Sequence, residues 1–287
     1  MKITINAFAK LNLSLDIKDL LPNGYHIIET VFQSISLHDT ITVENGVSKT
    51  EVICNKGGIT HENNICFKAL NIFMDTAKLK DNCKININKK IPLCAGLAGG
   101  SADAAAVLRA LNILYNYPLS EEKLLEIGAS LGADVPFCMI GGTMFASGIG
   151  EKLSPLPSLP SCDIVLIKKG SKPSTGELYK KMDSFGNYKR PDSKALIKAL
   201  HKGDLDTIAK SVRNVFEEAW GDAIKPQKDI LLASGALCAE LSGSGPTVFG
   251  IFKKGKNDTI LEKLSPLFEE VYYCEPKDSG LQIISIE

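Results

Sequence analysis

Pro92-Leu93-Cys94-Ala95-Gly96-Leu97-Ala98-Gly99-Gly100-Ser101-Ala102-Asp103 is nearly uncharged and glycine-rich, and it runs without a break into residues 102–115. There Ala104, Val107, Leu108, Leu111, Leu114 and Tyr115 fall on one stripe at helical spacing. Glycines let backbone amides converge on phosphate oxygens, and a helix start adds unpaired N–H groups and the positive end of a dipole. The stretch lacks the Gly-Lys-Ser/Thr of a Walker loop, and it does not sit in the strand-turn-helix frame of a dinucleotide fingerprint. Two readings stand: a cradle for phosphate, or an irregular glycine turn before an alanine-rich helix. The loop-to-helix context favours phosphate.

Upstream, the odd positions from Ile3 to Ile17 are apolar while the even ones include Thr4, Asn6, Lys10, Asn12, Ser14 and Asp16. Period two predicts a strand with one buried face. Further strands are expected at 31–43, 49–54 and 82–88, with a helix from Asn63-Asn64 to about Ala77. Downstream come a helix near 120–131 and strands around 136–146 and 149–153. Three prolines within 154–162 mark the best boundary. Beyond it strands at 163–168, 237–242, 246–252 and 271–275 are expected among helices near 176–183, 193–201, 204–211, 225–234 and 256–270. That pattern is α+β, helices packed on antiparallel sheet, in two domains, 1–153 and 162–287.

The chain's 287 residues fit two modest domains or one large one, and 44% hydrophobic with 23% charged residues is ordinary globular composition, which excludes disorder and coiled coil. Lys plus Arg number 33 and Asp plus Glu 33, so no charge surplus exists to collect nucleic acid or acidic lipid. The eight cysteines are scattered without a Cys-x-x-Cys pair and with few histidines, so they are expected as reduced thiols in a cytoplasmic protein. Lys10 interrupts what an export signal needs, and glycines with Pro136 break the apolar stretch 128–150. No membrane association is expected.

Single residues then invite chemistry. Lys10 and Asn12, two apart in a strand, share a face at roughly 6.6 Å and either meet one small ligand or form a solvated face. Asp134 is the one charge in 128–150. Burying it needs a lysine, a metal or backbone donors, and a helix cap or a structural ion pair satisfies that as readily as a functional partner does. His26, after Gly24-Tyr25, is a turn histidine or a base-recognising one. Thr175 and Tyr179 share a helical face, with Tyr179 a stacking ring or a core tyrosine. Asn64 and Asn112 offer amides to a purine edge or end helices. Gly243, Ser244 and Gly245 form a hairpin turn or a second anion-holding loop.

The loop at 92–103 resembles the second motif of the GHMP kinase superfamily, the galactokinase, homoserine, mevalonate and phosphomevalonate kinases. Ala9-Lys10-Leu11-Asn12-Leu13 resembles the family's N-terminal motif and Leu241-Ser242-Gly243-Ser244-Gly245-Pro246-Thr247 its C-terminal one, in the right order across nearly the whole chain. Gly24-Tyr25-His26, Phe32-Gln33-Ser34-Ile35 and Gly132-Ala133-Asp134-Val135-Pro136-Phe137 resemble the branch that phosphorylates, with ATP, the 2-hydroxyl of a methylerythritol joined through diphosphate to cytidine, in non-mevalonate isoprenoid precursor synthesis. The resemblance implies a mixed N-terminal sheet with helices and a ferredoxin-like C-terminal sheet with helices. It implies that Asp134 takes the hydroxyl proton beside Lys10, that residues 92–103 hold ATP with Asn64 and Asn112 near adenine, and that Asn12, Tyr25, His26, Thr175, Tyr179 and Gly243–Gly245 hold the substrate. Mg2+ is expected with ATP; its ligands are not identified, Ser101 and Asp103 being the nearest candidates. The alternatives are another small-molecule kinase of the family, for homoserine or mevalonate, or a catalytically silent ligand sensor.

Overall fold

A computed structural model describes residues 1–56, 64–171, 173–255 and 257–287, with nothing stated of the side chains at 257–259. In chain order the elements are β1 (Lys2–Leu20), β2 (His26–Asn45), β3 (Glu51–Cys54), α1 (Ile65–Ala77), β4 (Cys83–Asn88), α2 (Gly99–Leu114), α3 (Glu121–Leu131), α4 (Val135–Ile140), β5 (Thr143–Ser147), β6 (Lys152–Pro155), β7 (Cys162–Lys168), α5 (Thr175–Asp183), α6 (Ser193–Lys202) and α7 (Leu205–Ser211). They continue with β8 (Arg213–Asn214), α8 (Glu217–Trp220), a 3-10 turn (Gly221–Ile224), α9 (Lys225–Ala233), β9 (Cys238–Leu241), β10 (Thr247–Lys253), α10 (Asn257–Leu264), β11 (Glu270–Cys274), β12 (Pro276–Lys277) and β13 (Leu281–Ile286).

One sheet runs β13-β1-β2-β4-β3, with β5, β6, β8 and β12 attached, and the other is β11-β7-β10-β9, antiparallel throughout. The apolar positions of β1 are buried as their period requires, Ile3, Ile5, Leu11 and Leu13 all at 0% exposure. Its polar face departs from a half-buried strand: Lys10, Asn12, Ser14 and Asp16 are between 0% and 4% exposed. Polar alternation here marks an internal polar surface rather than solvent, and such groups need partners.

The alanine-rich α2 is buried along most of its length, its small side chains allowing close approach to the sheet and to α1 and α4. Its N-cap, Ala98, has φ 56° and makes no side-chain capping bond, so the first N–H groups have no side-chain acceptor.

The strand expected over 136–146 is corrected. Residues 135–140 are helix, because Pro136 lies in the first turn, where its fixed φ suits a helix and its missing N–H costs nothing. Val135, Phe137, Cys138 and Met139 are buried, so the apolar run is a core helix. It stops at Gly141, φ +77°, where a Cβ would stand 1.8 Å from the Gly280 nitrogen.

The chain's last strand also departs from the expected second unit, since β13 pairs antiparallel with β1 and β12 with β2. A bulge between Thr4 and Ile5 breaks its register and with it the period-two signal that the sequence lacks. Residue 256, where the last expected helix begins, lies outside the described residues; the helix ends at Leu264. No helix among the described residues is long and apolar enough to cross a membrane.

Candidate active site

Lys10 and Asn12 from β1, Phe32 from β2, the loop 92–101, Asp134, Thr175, Tyr179, Gly243 and Ser244 line one cavity of about 490 Å³. It therefore draws on both sheets and on both glycine loops. The two loops touch where Ser242 Oγ donates to the Gly96 carbonyl at 3.1 Å, and β1 meets the first loop where the Lys10 amide donates to the Leu97 carbonyl at 3.1 Å.

A short relay fixes the basic residue. Lys10 Nζ donates to Asn12 Oδ1 at 2.5 Å, Asn12 Nδ2 to Thr30 Oγ1 at 2.8 Å, and Thr30 Oγ1 to the Ser14 carbonyl at 2.5 Å. Lys10 Nζ also lies 5.4 Å from the centre of the Phe32 ring. Burial lowers the Lys10 pKa and the Asp134 charge opposes that fall. Asp134 is half-buried at the start of α4 and makes no capping hydrogen bond there. The cap reading of Asp134 therefore fails, and its carboxylate faces the cavity that Lys10 lines. The Tyr179 phenol is pushed up to about 12 by burial and then by the Asp134 charge.

The loop from the second sheet is held from outside. Asn214 Nδ2 donates to the Leu241 and Gly243 carbonyls at 2.9 and 2.7 Å, and Trp220 Nε1 donates to the Ser244 carbonyl at 3.1 Å. Thr175 Oγ1 and Ser244 Oγ are 3.2 Å apart. Gly245 packs against Trp220 and does not line the cavity.

A second chamber of about 560 Å³ adjoins, lined by Gly24, Tyr25, His26, Lys180 and Asp183, and it shares Ala133, Ile149, Thr175 and Tyr179 with the first. Tyr179 stacks on His26 with centroids 4.5 Å apart and planes 12° apart, and meets the edge of Phe216 at 4.9 Å. His26 Nε2 lies 2.7 Å from Asp183 Oδ1. Tyr25 is 60% exposed.

Several expected site residues lie elsewhere. Asn112 hydrogen-bonds the Leu119 backbone in both directions at 3.1 Å, and Asn64 caps α1 by accepting from the Cys66 amide at 2.9 Å. Both are helix-end residues, the alternative that sequence reasoning left open, because a buried amide is satisfied most cheaply by nearby backbone. Ala102 is fully buried, and Asp103 turns inward to Lys89, whose ammonium it accepts at 2.8 Å. Burial pushes the Asp103 carboxyl well above the usual range while Lys89 pulls it down, and its Oδ1 has no hydrogen-bond partner among the described residues. Ser101 lines the cavity, and no group of three or more His, Cys, Asp or Glu fit for a metal ion occurs among the described residues.

Sequence reasoning missed Lys89, Asp39, Asp183, Asn214 and Trp220. Only Lys89 carried a signal, a cation just upstream of the loop. All eight cysteines are unpaired thiols; Cys94, in the loop, is exposed and the others are buried or half-buried.

Gly96 carries the junction of the two loops. Its φ is +75°, and a Cβ there would stand 2.2 Å from the Ser242 carbonyl oxygen and 3.0 Å from that of Gly245. Backbone cannot swing aside as a side-chain tip can. Gly96→Ala is expected to separate the loops and weaken binding of a phosphate-bearing ligand by about tenfold or more, since left-handed strain alone costs of order 1–3 kcal/mol and 1.4 kcal/mol is tenfold. Nucleotide titration of the folded variant checks it, and unchanged affinity would remove the loop junction from the site.

Against known proteins, residues 64–142 match the GHMP kinases N terminal domain and residues 196–269 the GHMP kinases C terminal domain. The chain is 42% identical over 259 residues to the 4-diphosphocytidyl-2-C-methyl-D-erythritol kinase of Acetivibrio thermocellus, covering 88% of this chain and 91% of that protein. It is 40% identical over 286 residues to the Listeria monocytogenes protein of the same name, covering 98% and 97%. Among solved structures, a 4-(cytidine 5'-diphospho)-2C-methyl-D-erythritol kinase superposes with TM-score 0.81 at 30% identity, over 96% of this chain and 99% of that one. A homoserine kinase from Cytophaga hutchinsonii superposes with TM-score 0.77 at 20% identity, over 99% and 97%, a likeness of fold.

Proposed function

The chain belongs to the GHMP kinases, and on that premise we propose that it transfers the γ-phosphoryl group of ATP to the 2-hydroxyl of 4-diphosphocytidyl-2-C-methyl-D-erythritol. The observation that carries the reading is a pair of adjoining cavities: the glycine-loop cavity with Lys10 and Asp134 shares Tyr179 and Thr175 as walls with the aromatic chamber of Tyr25 and His26. A nucleotide-linked acceptor needs that second chamber; a small amino acid or polyol does not.

In this reading the amides of residues 95–100 and the uncapped start of α2 hold the ATP phosphates. Asp134 accepts the hydroxyl proton. Lys10, immobilised by Asn12, offsets charge on the oxygens in transfer. Such transfer needs chiefly positioning and charge neutralisation. Gly243 and Ser244, pinned by Asn214, Trp220 and Thr175, close over the acceptor's phosphates from the second sheet. Magnesium suits an ATP site as a hydrated cation held largely by phosphate oxygens with few protein ligands; Ser101 is the cavity-lining oxygen here that would hold it, and it would supply further neutralisation along the phosphates. The expected adenine contacts of Asn64 and Asn112 form no part of this reading. The division of the chain falls near 153–162, with residues 276–286 belonging to the first sheet.

The test is a panel of acceptors with purified protein, magnesium and ATP: the cytidyl compound, homoserine, mevalonate and galactose. Phosphorylation of the first alone is expected. Turnover of homoserine or mevalonate without the cytidyl compound would overturn the substrate, and tight ATP binding with no turnover of any acceptor would mark a sensor instead.

A further inference from the structure

Beneath the glycine loop lies a charged cluster that the reaction as described does not use. Lys89, Asp39 and Asp103 are 5%, 0% and 4% exposed. The Lys89 ammonium donates to Asp39 Oδ2 at 2.5 Å and to Asp103 Oδ2 at 2.8 Å. The other oxygen of Asp39 accepts the amides of Lys90 and Ile91 at 2.6 and 2.8 Å, and the Lys89 amide donates to Asn55 Oδ1 at 2.8 Å. Asp39 belongs to β2, Lys89 follows β4 directly, and Asp103 lies in the second turn of α2. One ammonium therefore ties the point where the chain enters the loop to the helix by which it leaves. The cation also borders the cavity at the loop's end, where a Cβ on Gly99 would be 3.1 Å from Lys89 Nζ.

Stability is a weak reason for such a cluster, because buried ion pairs replaced by apolar groups are often neutral or stabilising. Geometry is a better one. A loop holding three glycines between residues 92 and 100 has many backbone conformations, and ordering them when a ligand arrives subtracts from affinity. A clasp at both ends fixes the amides beforehand.

We propose that Lys89, bridging Asp39 and Asp103, is a positioning residue for the phosphate loop, acting on nucleotide affinity through the loop's shape rather than on the transfer step. The proposal rests on the reading that this loop holds the ATP phosphates, which is checked separately by ADP binding to the unaltered protein. If unaltered protein binds no ADP, that reading fails first.

The experiment measures ADP affinity calorimetrically and steady-state kinetics in Lys89→Met and Asp39→Asn. In the latter an amide cannot accept both from the loop amides and from the ammonium. For both variants, ADP Kd and ATP KM are expected to rise together by about 10²-fold, the scale of a misplacement near 1 Å. At saturating ATP, kcat and the acceptor KM should stay within about threefold, the pattern of lost uniform binding. Should Lys89→Met fail to fold, Asp39→Asn carries the test. An unchanged ATP KM with lower melting temperature makes the cluster merely structural and overturns the proposal. So does a fall in kcat with unchanged ADP affinity, which would make Lys89 a group of the transition state.

Discussion

Asp134→Asn is expected to lower kcat by about 10²–10⁴-fold, the usual worth of a positioned base, while ATP KM stays close to its original value. The substitution keeps size and shape and removes a charge. Asp134 makes no capping bond that the change would break, so the helix it begins should form as before. The loop proposed for ATP reaches the cavity from another element, 92–101, and lines it beside Asp134. The effect should therefore fall on turnover alone. A loose transition state demands little early deprotonation, which puts the loss toward the lower end of the range if Asp134 serves mainly to orient the hydroxyl. A second readout follows from Lys10. Its pKa is lowered by burial and supported by the Asp134 charge, so without that charge it falls further. Since Lys10 must stay protonated, the alkaline limb of the residual pH–rate profile should move to lower pH in Asp134→Asn. Near-normal turnover, or an unmoved alkaline limb beside a large loss of kcat, would break the assignment of these two residues as an interacting pair.

What the sequence disclosed of this site, and what it withheld, follows from how each residue is held. The glycine loop and α2 were legible because a local pattern, glycines followed by a 3.6-residue stripe, dictates local structure. Lys10 and Asn12 were ambiguous for a physical reason: period two reports that alternate residues face another environment, and it does not distinguish water from an internal polar cavity. Asn12 and Asp16, both 1% exposed, are met by groups far along the chain, Asn12 by Gly243 and Asp16 by the Arg190 guanidinium at 3.1 Å. Asn112 was open for a similar reason, since an amide suited to adenine is equally suited to a helix end, and the backbone it bonds, at Leu119, is seven residues away. The helix at 135–140 was hidden by its shortness, since six apolar residues fit a buried strand as well as a buried helix. Lys89 and Asp39 meet only through sheet pairing across 50 residues of sequence, and no local period encodes that.

An acceptor stripped of its cytidylyl half is expected to lose about 10⁴–10⁵ in kcat/KM, the discrimination reached when a site built for hydrogen bonds meets an analogue lacking them. The second chamber supports so large a figure because its polar groups are already committed in geometry. His26 is held by Asp183 at 2.7 Å and by its stack on Tyr179, whose other neighbour is Phe216. With Nε2 directed at a carboxylate that accepts its hydrogen, Nδ1 is the ring atom left to meet a base. A cytosine presents an exocyclic amine and a bare ring nitrogen where uracil presents an oxygen and an N–H, so a fixed donor–acceptor pattern suits only one of them. Tyr25, exposed at the rim, is free to cover a bound ring, and base–aromatic stacking contributes about 1–3 kcal/mol without regard to base identity. The two contributions separate by mutation. Tyr25→Ala should weaken cytidine and uridine analogues alike, raising the acceptor KM for each. His26→Ala should reduce the cytidine preference itself, bringing the ratio of kcat/KM for the two analogues toward one. Asp183→Asn should act in the same direction as His26→Ala, since an amide no longer fixes which ring nitrogen carries the proton. Competition between the two analogues in one reaction, followed by mass of the phosphorylated products, measures that ratio directly. A cytidine preference that survives His26→Ala intact would move base recognition to backbone groups of the Gly24–His26 turn, and full activity on the truncated acceptor would remove the second chamber from substrate binding altogether.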